Sequence, residues 1–378
     1  MSTSHDRNPI HTYSAAGIFT VSLTGVGRYN TDTVVKTNYI TAYNPTYVLT
    51  ATIHPTDSAV VTGLGEYPAG TSVTLTAIGE PKPAGDNYVD IVFLVDESGS
   101  MSTEHSWLTT MPSQLEAALL AAGIGTVTQN KYALMGYAST TNSDRAYKLV
   151  VGTGDWGTAV QLQAAALNLN TLGNIEDGYQ AMDAALTGAG DTATGHGPYT
   201  FRVGAAVVFV LVTDSDRQGP NTLPGHSLTY ASMLAELGSY NVILASCINA
   251  RIRNVSNVDG IGKYGTALYL YSASSPYYTL GTFDHYTPST DSQTANVIAD
   301  YCNLTDTHGG SVWDLEILRN GGLYATAFSN AFTAVLTAQI VGALSWQFDH
   351  WIINGVTITS NPYTFTVTGS TTIDLYMI

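Results

Sequence analysis

At 378 residues the chain is longer than one ordinary domain, so two or three folding units are expected. Only 11% of its residues are charged, while Gly, Ser, Thr and Tyr are abundant, a balance that suits a β-rich extracellular or particle-surface protein and not a cytosolic enzyme. The net charge of −16 with only 13 Lys and Arg argues against nucleic-acid binding, which needs basic clusters, and favours divalent cations.

The opening Met1-Ser-Thr-Ser-His-Asp-Arg7 lacks the charged-then-apolar pattern of a secretory signal, and none is expected. Ile18-Phe-Thr-Val-Ser-Leu23 alternates, Gly25 to Asn30 reads as a turn, and Thr33 to Ile40 follows, which predicts two β-strands. The pattern Asn8-Pro-Ile-His-Thr-Tyr13 followed by Gly17-Ile-Phe-Thr-Val21 resembles the second half of a polycystic-kidney-disease (PKD) sandwich domain. The half with its usual Trp and Gly-Asp-Gly turn is missing. Half a sandwich keeps an apolar face and open strand edges. Residues 1–45 are therefore expected to dock on a neighbouring subunit or, alternatively, to pack as a small sheet on this same chain.

Val60-Val-Thr-Gly-Leu-Gly65 with Thr71-Ser-Val-Thr-Leu75, and Phe348-Asp-His-Trp351 with Asn361-Pro-Tyr-Thr-Phe365, together resemble one bacterial repeat of the Listeria–Bacteroides type. In that family the two halves follow each other closely. Each half alone has too few strands to bury a core, and insertion at an exposed loop tip is well tolerated. Residues 46–86 and 344–378 are thus expected to form one small all-β domain, interrupted by residues 87–343.

The interrupting region alternates strand and helix signals, which predicts an α/β doubly wound parallel sheet. Strands are expected at 89–95, 131–138, 146–151, 205–213, 240–247 and 311–316, several of them continuous apolar runs as in strands covered on both faces. Helices are expected at 106–122, 175–187, 227–238, 291–302 and 324–338. Residues 248–290 read as a Tyr-rich insertion. Its tyrosines, Tyr269 and Tyr271 among them, are expected either to contact a ligand or to form a self-packed hairpin over the sheet edge.

The apolar run Asp90-Ile-Val-Phe-Leu-Val ends in Asp96-Glu-Ser98-Gly-Ser100. The carboxyl end of a strand in a parallel sheet opens into the crevice where ligands sit. One carboxylate and two hydroxyls at alternate positions make a hard-oxygen site for Mg²⁺, Mn²⁺ or Ca²⁺. The run resembles the metal-ion-dependent adhesion site of von Willebrand factor A domains, of the secreted bacterial type, and the resemblance extends over 87–343. It is supported by Val207-Val-Phe-Val-Leu-Val-Thr213-Asp214-Ser-Asp216 and by Gly309-Gly-Ser-Val-Trp313-Asp-Leu-Glu. The resemblance implies that Ser98 and Ser100 ligate a divalent cation directly, that Asp96 does so through water, and that Asp214 stands beside the metal. A Thr ligand expected from the loop Leu172-Gly-Asn174-Ile-Glu176-Asp177 is absent, and Thr171 is slightly too early. Glu176 or Asp177 takes that role, or both complement the helix dipole. Asp177, Asp216, Tyr269 and Tyr271 are the expected ligand contacts.

No nucleophile elbow, zinc-binding His pair, Walker loop or dinucleotide fingerprint occurs, and Ser98 has no base, so no enzyme is expected. His105 reads as a helix-start residue. Cys247 and Cys302 are two buried thiols or one disulfide. No apolar run of about 18 residues predicts a membrane span. The expected function is metal-dependent adhesion to a protein or glycan, through a carboxylate, from an extracellular or virion surface such as a phage head fibre, decoration protein or tail adhesin. The alternatives are a purely structural virion or scaffold protein with a vestigial site, and a fragment of a secreted bacterial adhesin.

Overall fold

The computed structural model describes residues 3–80, 82, 87–173, 175–188, 198–218, 228–288 and 296–378. The chain folds as two compact units, Met1–Glu80 with Trp346–Ile378, and Pro81–Ser345.

The first unit opens with a hairpin, β1 (Gly17–Val26) antiparallel to β2 (Thr31–Ala42). Leu23 faces Val34 and Phe19 faces Ile40 across the ladder. Leu23 is 75% exposed and Val34 55%, so an apolar pair stands in solvent. There follow β3 (Thr46–Leu49), β4 (Ala51–His54), β5 (Ala59–Thr62), β6 (Gly65–Pro68) and β7 (Ser72–Gly79). Strict alternation in β7 buries Val73, Leu75 and Ala77.

The second unit contains β8 (Val89–Asp96), α1 (Ser102–Leu108), α2 (Met111–Ala121), β9 (Lys131–Tyr137), β10 (Tyr147–Leu149), α3 (Ala159–Ala166), α4 (Gly178–Leu186), β11 (Ala206–Thr213), α5 (Tyr230–Ser239) and β12 (Ile243–Ile248). It continues with β13 (Ala250–Arg253), β14 (Asp259–Gly260), β15 (Gly262–Tyr264), β16 (Ala267–Tyr271), β17 (Tyr278–Thr282), β18 (His285–Pro288), α6 (Asn303–Thr307), β19 (Ser311–Asp314), α7 (Leu315–Arg319) and α8 (Gly322–Leu344). One nine-stranded sheet runs β10-β9-β8-β11-β12-β19-β15-β16-β17. Alternate residues of β8 enter two apolar layers, Ile91, Phe93 and Val95 on one face and Val92 and Leu94 on the other. Cys247 and Cys302 are free and buried in opposite layers, so the disulfide alternative is excluded.

The expected doubly wound parallel sheet is corrected by this topology. The sheet is mixed: β9, β8, β11, β12 and β19 are parallel, while β10, β15, β16 and β17 join antiparallel. Strand makes up 38% of the structure against 25% helix. Connection length is the physical reason for three of these pairs: β9–β10, β15–β16 and β16–β17 are joined by segments too short for a parallel crossover, so each can only be antiparallel.

Two expected helices also differ. The segment 106–122 is two helices, because Pro112 has no N–H and restarts the helix in the first turn of α2. Of the segment 291–302, residues 291–295 lie outside the described residues, as does residue 227 of another expected helix; the remainder is a π-turn at Ile298–Cys302 that leads into α6. Helix α8 is long and apolar enough to cross a membrane by length and composition, yet 56% of its apolar stretch is buried inside the protein. There Phe328 and Phe332 pack edge-on against Trp107 and Trp313.

The chain returns to the first unit with β20 (Phe348–Ile353), β21 (Val356–Ile358), β22 (Tyr363–Thr366) and β23 (Ile373–Met377). β22 pairs antiparallel with β7, and β23 runs parallel to β4. Trp351, Leu375, Leu49 and Leu75 close one small core drawn from both ends of the sequence.

Candidate cation site

The site is built where β8 and β11 end side by side, Val95 opposite Val212. Parallel pairing in this register sets Asp96 next to the Thr213-Asp214 turn. Asp96 is fully buried. One carboxylate oxygen accepts from the Ser98 N–H at 2.7 Å, and the other accepts from the Thr213 hydroxyl at 2.8 Å. Nε2 of His105, from α1, lies 2.8 Å from the Asp96 carbonyl oxygen. Burial holds that imidazole below its ordinary pKa, so it is a neutral brace and not a charge at the site. The Ser98 and Ser100 hydroxyls are 3.3 Å apart, Ser98 buried and Ser100 exposed.

The loop before α4 is hung on the β8 loop. The Gly173 N–H donates to the Glu97 carbonyl at 3.0 Å, and Gly173 bridges both Ser98 and Ser139. Glu97 supports it from beneath: its carboxylate accepts from the Asn170 N–H at 2.8 Å and from the Tyr147 hydroxyl at 2.9 Å. Burial raises Glu97 to about 7. Residue 174 of this loop lies outside the described residues. Beyond it, Glu176 is 5% exposed, and the Ser215 and Ser98 side chains act to hold its pKa down. Its Oε2 is buried with no donor.

Two buried carboxylates thus converge. Burial first, then the charge of Glu176 and, less, that of Asp214, push Asp96 well above the usual carboxylate range. Burial, with the charges of Asp214 and Asp216, pushes Glu176 up to about 7. Among the described residues no group of three or more His, Cys, Asp or Glu side chains is arranged to hold a metal ion. The donors gathered here are instead carboxylates mixed with serine hydroxyls. They are hard oxygens, and the donor-free oxygen of Glu176 and the unfavourable crowding of negative charge fit a small divalent cation.

The other expected residues separate. Asp177 caps α4 through the Tyr179 N–H, and both its oxygens are taken by Arg217, at 2.7 and 3.0 Å. Asp216 accepts from the Asn296 backbone and side chain, each at 3.1 Å. Tyr269 and Tyr271 do not reach the site, which corrects their expected role. They sit on β16, five strand spacings from β8 in the sheet order, roughly 24 Å at the usual spacing. Tyr269 packs on Trp313 and Tyr278, and Tyr271 stacks on Tyr324. Sequence reading missed Thr213, Ser215 and Glu97, though each directly adjoins a motif residue. It also missed Arg319 and Glu104, for which the sequence carries no signal.

No family model matches the sequence, and no curated protein matches it. Among solved structures, the pilus adhesin SpaC from Lactobacillus rhamnosus GG is similar at 16% identity over 75% of this chain and 34% of that one, with a TM-score of 0.36. Its open conformation is similar at 13% identity over 79% of this chain and 39% of that one, also at 0.36. Proximal thread matrix protein 1 from the mussel byssus is similar at 16% identity over 47% of this chain and 38% of that one, at 0.29. The chain therefore spans well under half the length of each.

Proposed function

We propose that this protein is a non-enzymatic adhesion protein that binds a carboxylate-bearing protein or glycan through Mg²⁺, Mn²⁺ or Ca²⁺, displayed on a cell or virion surface. Asp96, Ser98, Ser100, Glu176 and Asp214 are the residues that would hold the cation, in the manner of a von Willebrand A-type adhesion site. The observation that carries this reading is the pair of buried carboxylates Asp96 and Glu176, set against serine hydroxyls with one Glu176 oxygen left without a donor. A divalent cation held by these residues would supply the charge that lets both carboxylates ionise and would attract a partner's carboxylate. The additional Glu176 carboxylate takes up part of that positive charge, so partner affinity is modest and rises with cation concentration.

Calorimetric titration of Mg²⁺, Mn²⁺ and Ca²⁺ into the metal-stripped protein tests this reading. Saturable binding is expected for the natural chain and none for Asp96→Ala. Absence of binding in the natural chain would leave a purely structural role. Within the same reading, the hairpin β1–β2 attaches the protein to a neighbouring subunit through its exposed apolar pair Leu23 and Val34. Sedimentation is expected to show self-association that is lost when both residues are replaced by Lys. Unchanged sedimentation of the double variant argues against attachment through this face.

A further inference from the structure

Arg319, the last residue of α7, stands between two acidic side chains from different elements. Its Nη2 donates to Asp214 at 2.6 Å, and its Nε donates to Glu104 of α1 at 2.7 Å. Nη1 lies 3.4 Å from Glu316. Glu104 is fully buried, and its second oxygen has no donor. One of the carboxylates assigned above to the cation is therefore already in the grip of a protein cation. Burial works against the charge of Arg319, but hydrogen bonds and attraction from Glu104 and Asp214 outweigh it and raise its pKa. Guanidinium does not lose its proton in proteins, so this charge is permanent.

We propose that Arg319 is a built-in counter-cation of the site, which competes with the divalent ion for Asp214 and holds cation affinity down. The inference rests on the cation reading of the site. A fixed positive charge in direct contact with Asp214 repels an incoming divalent ion and cancels the attraction of that carboxylate. The ion then meets only Asp96 and Glu176 as net negative groups. Glu104 has the opposite effect, because it draws part of the guanidinium's charge away from the site. The pair thus sets the cation concentration at which the site fills, through contacts that lie outside the motif.

The experiment is calorimetric titration of Mn²⁺ into the metal-stripped full chain and three variants, each checked for folding by circular dichroism. Arg319→Gln is expected to bind about tenfold more tightly or better, since a unit charge a few ångströms away is removed. Glu104→Gln is expected to bind more weakly, because Arg319 then acts undiluted on Asp214. The double variant Glu104→Gln with Arg319→Gln removes the fully buried Glu104 charge together with its partner and leaves only Asp214, 10% exposed at the cation site, without the guanidinium; it is expected to bind more tightly than the natural chain even if the single Arg319 variant folds poorly. Opposite signs for the two single variants distinguish this role from a merely structural one. Unchanged or weaker binding in both Arg319→Gln and the double variant overturns the inference while the cation site stands. No saturable binding in any chain overturns both, whereas binding that appears only on removal of Arg319 supports the role of Arg319 and overturns cation-dependent adhesion by the natural chain.

Discussion

Gly173→Ala is expected to destabilise the second unit by about 3 kcal/mol, at the upper end of what overpacking costs, and to abolish cation binding. A Cβ at this position would lie 2.0 Å from the Ala138 carbonyl oxygen and 2.8 Å from that of Glu97. Both are backbone atoms in ordered strands and loops, so neither can swing aside as a side chain would. The strands must part, or the 170–176 loop must leave its seat. Either movement breaks the Gly173 N–H bond to Glu97 and carries Glu176 away from Asp96. Gly99→Ala is the matched control, because its nearest contact would be the Thr171 carbonyl oxygen at an ordinary 3.9 Å. Urea unfolding and a cation titration of the two variants check this. Natural stability and affinity in Gly173→Ala would falsify the account of how the loop is held.

Arg217→Met is expected to cost about 3–5 kcal/mol, the usual result of removing one partner from a buried ion pair. Asp177 is 2% exposed and gives both carboxylate oxygens to Arg217. The guanidinium also lies 4.0 Å above the Tyr179 ring and donates to the Leu228 carbonyl, whereas the bond to Asp300 comes from the Arg217 backbone N–H and survives the substitution. Without the guanidinium, Asp177 keeps a buried charge at the start of α4, one residue from Glu176. Restoring neutrality with Asp177→Asn in the same chain is expected to recover a large part of the loss, because the cost comes mainly from the stranded charge. Urea unfolding of both single variants and the pair gives the coupling. Simple additivity would mean that the two residues do not act together.

Periodicity made some elements visible before any fold was in hand. The run 89–95 reads as a strand buried on both faces, and β8 spans Val89–Asp96 with every residue buried. The run 205–213 reads the same way, and β11 spans Ala206–Thr213 with every residue after Ala206 buried. Such runs declare themselves because burial on both faces demands apolar residues at every position. Sequence pattern joins 106–122 into one helix because apolar spacing continues across Thr109 and Thr110, and only the geometry around Pro112 divides it. The Tyr-rich insertion leaves open a ligand contact or a self-packed hairpin at the sheet edge, because its short strands have little alternation of their own; in the structure β15 pairs with β19, and β16 and β17 follow it antiparallel at that edge.

The sequence by itself determined the chemistry on offer: an acidic, charge-poor chain, and oxygen donors at the end of a buried strand. Spacing along one strand decides which residues can share a turn, so Asp96, Ser98 and Ser100 could be grouped without a structure. Only the tertiary structure decided what those donors face. The sheet became mixed because pairing direction is set by the length and path of connections. Tyr269 and Tyr271 went to a distant strand for the same reason. Arg319 reached Asp214 from 105 residues away, and Gly173 was pressed between two backbones. Contacts of this kind follow from the register and packing of separate elements, on which local sequence pattern is silent.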